Sequence, residues 1–151
     1  MKTLGQGTLA AGVISQVASA KVHAEEAKTR KANGTGAAKT DWYFPDAYLP
    51  DTSTNISHEA VCVLNMASQD ANVSITMYYL DQEPVTGFRV VCPSKRSKHI
   101  RTDTLKNKSG ETVKERVPYA IHVSSDVPVM CQYTRVDATK PAYTLMTTMG
   151  L

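Results

Sequence analysis

A chain of 151 residues and 16.4 kDa has room for one ordinary domain and a tail, not for two cores of typical size. Its 42% hydrophobic and 21% charged residues describe a folding chain, and no run of about 18 apolar residues is present, so membrane insertion is not expected. The net charge of +3 is too small to imply nucleic acid, but its distribution is uneven. Residues 41–92 hold seven acidic side chains and one basic, Arg89, whereas residues 93–116 hold eight basic and three acidic. Such polarity suits an acidic patch on one subunit facing a basic patch on the next.

Residues 1–40 read as an N-terminal extension, partly helical or disordered. The stretch 9–32 is alanine-rich, Glu26 and Arg30 form an i,i+4 pair, and Asn33-Gly34-Thr35-Gly36 makes a joint. An export signal ending at Ala18-Ser19-Ala20 is a poor reading, because Gly5, Gln6, Gly7 and Thr8 interrupt its apolar run.

Residues 41–151 read as a single β domain. It opens on Asp41-Trp42-Tyr43-Phe44-Pro45-Asp46-Ala47-Tyr48-Leu49-Pro50, where two prolines predict an irregular extended backbone and the aromatics either plug the core or line a pocket or interface. Period-two patterns then predict strands over 58–65, 73–79, 85–92, 94–102, 119–123, 127–136 and 144–149, with turns at 68–71, 81–84 and 124–126 and a short helical turn near 103–105. Short strands, polar turns and no convincing helix predict an all-β antiparallel sandwich, jelly-roll-like. The run from Ser94 to Arg101 carries Lys95, Arg96, Lys98, His99 and Arg101. It reads as a charged edge strand, with nucleic-acid contact as the lesser reading.

Cys62, Cys92 and Cys131 are odd in number and lack C-x-x-C spacing, which predicts three reduced core cysteines and a cytoplasmic location, with no disulfide and no metal. Hydrolase, metalloprotease, P-loop and dinucleotide motifs are absent from the sequence. His58 and Glu59 are adjacent on a strand and so point to opposite faces, except where twist at its start relaxes the rule. His99 and His122 have no third ligand that spacing fixes. Arg135 needs a carboxylate, for which Asp137, Asp81 or Glu83 are candidates.

The residues Asp41 to Pro50, Ser57-His58-Glu59, Gln82-Glu83-Pro84-Val85, Pro93-Ser94-Lys95-Arg96, Ser125-Asp126-Val127-Pro128-Val129, Gln132-Tyr133-Thr134-Arg135 and Leu145-Met146-Thr147-Thr148, in this order, resemble the sensory rhodopsin transducer family over about residues 41–149. The resemblance implies a small cytoplasmic β-sandwich protein, a homotetramer, and a membrane rhodopsin or other signalling protein as partner. It carries a ligand- or partner-binding set onto Trp42, Asp46, Tyr48, His58, Glu59, Glu83, Tyr133 and Arg135. Gln82 stands where the family usually has Arg, and Ala47 where Gly is usual. The expected function is a signalling adaptor, with a small polar or sugar-like ligand, without cofactors, and more in keeping with a non-enzyme. The alternatives are an enzyme acting on a sugar or polyol through a pocket containing His58, Glu59 and Arg135, and a DNA-interacting regulator.

Overall fold

Seven strands follow one another in the computed structural model, which describes residues 37–53 and 56–151: β1 (Lys39–Tyr48), β2 (His58–Asn65), β3 (Ala71–Tyr79), β4 (Val85–Cys92), β5 (Arg96–Arg101), β6 (Pro118–Asp137) and β7 (Thr144–Met149). A 3₁₀ turn spans Thr102–Thr104. The alanine-rich stretch 9–32 and the joint at 33–36 lie outside the described residues. All strand pairings are antiparallel, in the order β4-β3-β6-β2-β5, with β1 and β7 also paired to β6.

The organising element is β6, 20 residues long. Its first part, Pro118 to Val129, lies between β1 and β3, and its second part, Met130 to Asp137, between β2 and β7. One strand thus belongs to two neighbourhoods, and the result is a single curled hydrogen-bonded sheet in place of the two separate sheets of a jelly roll. Beyond β7 the chain returns to β1: Leu151 N–H donates to the Tyr43 carbonyl at 3.1 Å, and Tyr43 N–H to the Leu151 carbonyl at 3.3 Å. β4 and β5 remain as the ends of the strand order.

The turn expected at Ser124-Ser125-Asp126 is a bend within β6. Ser125 Oγ donates to the Val127 carbonyl at 2.6 Å, and the Asp126 carboxylate accepts from the Asn72 backbone N–H at 2.7 Å. Ser125 is thus satisfied within β6 and Asp126 across to β3, so the strand continues without reversing. Residues 41–48 are likewise more regular than two prolines suggested: they belong to β1, whose register shifts once between Lys39 and Asp41 and once between Phe44 and Ala47, where Pro45 sits. A proline, lacking an N–H, is accommodated at such a bulge.

Alternation places one side of β1, β2, β3, β4 and β6 inside, while β7 has no buried residue. Trp42, Phe44, Ala47 and Leu49 meet Val61, Val63, Val73, Ile75, Met77, Phe88, Ile121, Val123, Val129, Cys131 and Tyr133 in one core. Trp42 keeps its indole N–H satisfied there by donating to the Val129 carbonyl at 3.0 Å. β5 holds the edge the sequence assigned to it, burying only Ile100 and exposing Arg96 and Lys98. The 3₁₀ turn falls within one residue of its expected place.

Candidate functional site

Glu59 is fully buried, and β2 aims its carboxylate into the core from a position directly opposite Arg135 on β6. Glu59 Oε2 accepts from the Tyr133 hydroxyl at 2.6 Å and from the Tyr48 backbone N–H at 3.2 Å. One oxygen therefore joins β2, β6 and β1. Oε1 has no hydrogen-bond partner, and neither does the hydroxyl of Tyr119, a buried residue paired with Ala47 of β1. Burial pushes the Glu59 carboxyl above its usual range, against the opposing effect of the Tyr133 and Tyr48 hydrogen bonds and the Arg135 charge. Burial and the adjacent Glu59 raise the Tyr133 phenol as well, so it stays protonated and donates.

Arg135 lies over the Tyr48 ring, 5.7 Å from the ring centroid. Its aromatic neighbour on β1 replaces the close carboxylate contact expected from Asp137, Asp81 or Glu83; among the described residues no ion pair within 4.0 Å involves Arg135. The guanidinium face is weakly hydrated, so stacking accommodates it without a paired anion.

The expected site residues therefore separate into groups. Tyr48, Glu59, Tyr133 and Arg135 come together. Trp42 belongs to the core beneath β6, bonded to Val129. Asp46 is exposed beside the β1 bulge, and Glu83 is exposed in the β3–β4 turn. His58 projects to the outer face of β2, where Nδ1 donates to the Ile56 carbonyl at 2.8 Å. It does not meet Glu59, since neighbouring strand residues take opposite faces and twist does not undo this here. Gln82 accepts from Lys114 Nζ, and Ala47 is absent from the positive-φ residues, so neither departure from the family pattern leaves a strained or unpartnered group.

The outer face holds what sequence reasoning missed. Cys92 and Cys131 are buried as expected, and burial raises the Cys131 thiol to about 12. Cys62 instead is partly exposed on the outer side of β2, with Sγ 3.1 Å from His99 Nδ1 on β5. Only the register Cys62↔His99 brings together residues 37 apart in sequence. On the other half of the sheet, His122 stacks on Tyr43 with centroids 4.7 Å apart, and its Nε2 lies 2.9 Å from Asp41. That contact holds the Asp41 carboxyl below its ordinary value.

Comparison with known proteins agrees with this fold. No curated protein matches. A crystal structure of Thermotoga maritima 1070 superposes with a TM-score of 0.66 at 36% identity, covering 74% of this chain and 92% of that one. The Anabaena sensory rhodopsin transducer superposes with a TM-score of 0.57 at 35% identity, covering 67% of this chain and 87% of that one. The family described as Anabaena sensory rhodopsin transducer matches residues 37–151, and the chain belongs to that family.

Proposed function

We propose that this protein is a signalling adaptor that works by docking to other proteins. The reading rests on family membership across residues 37–151, joined to one physical feature: the outer face of β2, β6 and β7 carries Leu64, Leu145 and Met149 exposed. Apolar side chains gathered on a sheet face are a surface for protein contact. Among the described residues no helix is long and apolar enough to cross a membrane, so a membrane rhodopsin, or another signalling protein, would be met at its surface. By this reading the protein is a cytoplasmic homotetramer, its two sheet neighbourhoods face each other as a sandwich, and residues 1–40 extend the β domain.

Tyr48, Glu59, Tyr133 and Arg135 make the second part of the proposal, a place where a small polar ligand would act on the adaptor. Glu59 Oε1 is an unused acceptor, and Arg135 is half-buried above it in the ladder. The sugar or polyol enzyme would need His58 in that same place, and His58 lies on the opposite face of β2. DNA contact would use the exposed Arg96 and Lys98 of β5.

Light scattering tests assembly and binding together. The expected mass is four times 16.4 kDa, and Leu64→Arg is expected to reduce it or to abolish capture by a reconstituted rhodopsin. A monomeric mass, with rhodopsin capture absent in both proteins, would overturn the adaptor reading. Salt-sensitive binding of duplex DNA that Arg96→Gln removes would favour the regulator.

A further inference from the structure

The outer face of β5, β2, β6 and β7 carries a second group of side chains, which shares only Met149 with the docking surface. Cys62 and His99 are cross-strand partners in contact, Sγ to Nδ1 at 3.1 Å. Cys62 also faces Gln132, and Leu64 faces Met130, which makes Met130 the diagonal neighbour of Cys62. Gln132 pairs in turn with Met149. Cys62, Met130 and Met149 all line one groove of about 320 Å³. A thiol and two thioethers therefore border a single largely apolar depression, and the His99 imidazole touches that thiol from β5, outside the groove's lining.

This donor set is selective. Among the described residues no three His, Cys, Asp or Glu side chains are placed to hold a metal ion, so zinc and harder cations lack a complete shell. Thioether sulfur completes the shell only for a soft ion. Charge points the same way: a thiolate with a monovalent ion is neutral, which an apolar groove tolerates, whereas a divalent ion would leave a net positive charge there. We propose that Cys62, His99 and Met130 form a binding site for a soft monovalent metal ion, copper(I) in biological terms, with Met149 as a further thioether at its mouth.

On binding, the Cys62 thiol releases its proton to solvent, neutral His99 supplies the Nδ1 lone pair, and the metal keeps its oxidation state, so no electron is transferred. Met130 is partly buried against the core, which fixes its position, while Met149 is half-exposed and free to close over the ion. His58 buttresses the site. Its own Nδ1 is engaged with the Ile56 carbonyl, and its ring stands edge-on to His99 with centroids 6.3 Å apart.

The full chain, reduced and oxygen-free, is titrated with copper(I) held by bicinchoninate as the competing chelator. One equivalent per chain is expected, with sulfur and nitrogen neighbours in the X-ray absorption spectrum. Loss of a group that merely supports a ligand costs about 10- to 100-fold in affinity, so Cys62→Ser is expected to lose at least about 100-fold and Met130→Leu about 10-fold. Cys92→Ser is expected to change nothing. His99→Asn, at an exposed position, keeps the test open if Cys62→Ser fails to fold, and it too is expected to weaken binding at an unchanged melting temperature. Wild-type protein that leaves all copper on the chelator, undiminished binding in Cys62→Ser or His99→Asn, or tighter stoichiometric binding of zinc would overturn the proposal.

Discussion

Along β6 the two neighbourhoods bury the same kind of inner surface and finish the outer one differently. Beside Pro118–Val129 the outer positions include Asp41, Tyr43, Ser74, Thr76, Tyr78, His122 and Ser124, among which His122 contacts Asp41 and stacks on Tyr43. Beside Met130–Asp137 they include His58, Cys62, Leu64, Met130, Gln132, Thr134, Leu145, Thr147 and Met149, with Leu64, Met130 and Met149 grouped around Cys62. Sheet stability asks little of an outer face, so hydroxyl, carboxylate and aromatic side chains on one half and a group of aliphatic and sulfur-bearing ones on the other point to use. The inner face makes the fold, and the apolar outer half is where contact and binding belong.

The common inner face is the place to break this comparison most severely. Phe44 is fully buried and packs 5.9 Å from Tyr133, joining β1 to the second half of β6. Phe44→Ala is expected to cost about 3–5 kcal/mol in urea unfolding, in one transition seen alike by Trp42 fluorescence and far-ultraviolet circular dichroism. Two separated transitions would mean that the halves are independent. Gly150→Val strikes the seam where the chain end meets β1, since a Cβ there would lie 2.8 Å from the Trp42 ring and 2.9 Å from the Phe44 ring. Both rings are buried and have little room to yield, so a loss of about 1–3 kcal/mol is expected. Hydrogen exchange should quicken in β7 well before β4; equal quickening would show that the seam is not local.

The Glu59 cluster sharpens the comparison, because it places an ionisable group inside the half whose outside is apolar. Tyr133→Phe removes the 2.6 Å donor and is expected to cost about 1–3 kcal/mol. Because burial raises the folded-state pKa of Glu59, its contribution to stability is complete below the ordinary value near 4.5 and is lost as pH rises through the elevated one. Asp41, Asp103 and Asp126 shift the opposite way and lose theirs on acidification. The difference between wild type and Glu59→Gln across pH isolates the first effect: wild type should lose stability relative to the variant as pH rises. A flat difference would mean that the carboxyl titrates as in the unfolded chain. Smallest of all are the outer substitutions. Met149→Thr and Thr76→Ala should each change stability by no more than about 0.5 kcal/mol, yet only Met149→Thr should alter mass or copper uptake.

Periodicity made most of the fold legible. β2, β4 and β7 have the bounds that alternation predicts, and β3 begins two residues earlier than expected. The errors came from residues whose local preference was overruled at a distance. Ser124, Ser125 and Asp126 resemble a turn until Asn72, more than fifty residues away, supplies the partner for Asp126. The site was legible in membership and not in assembly. Alternation alone separates His58 from Glu59, whereas the choice of Tyr48 and Tyr133 as partners of Glu59 depends on a register between strands far apart in the chain. The same holds for Cys62 and His99, which no spacing rule connects.

The shared strand also governs the order of events during synthesis. β1 reaches the solvent long before its partner on β6, whose pairing runs from Lys39↔Val129 to Tyr48↔Pro118. Until those residues are translated, Trp42 and Phe44 have no place to bury, and β2 and β3 lack the central neighbour that separates them. A ribosome paused before Pro118 would therefore hold a chain rich in unpaired strand edges, and non-local closure of this kind is slow. Productive collapse has to await the arrival of one strand, which makes the nascent chain, more than the finished protein, the natural client of a chaperone.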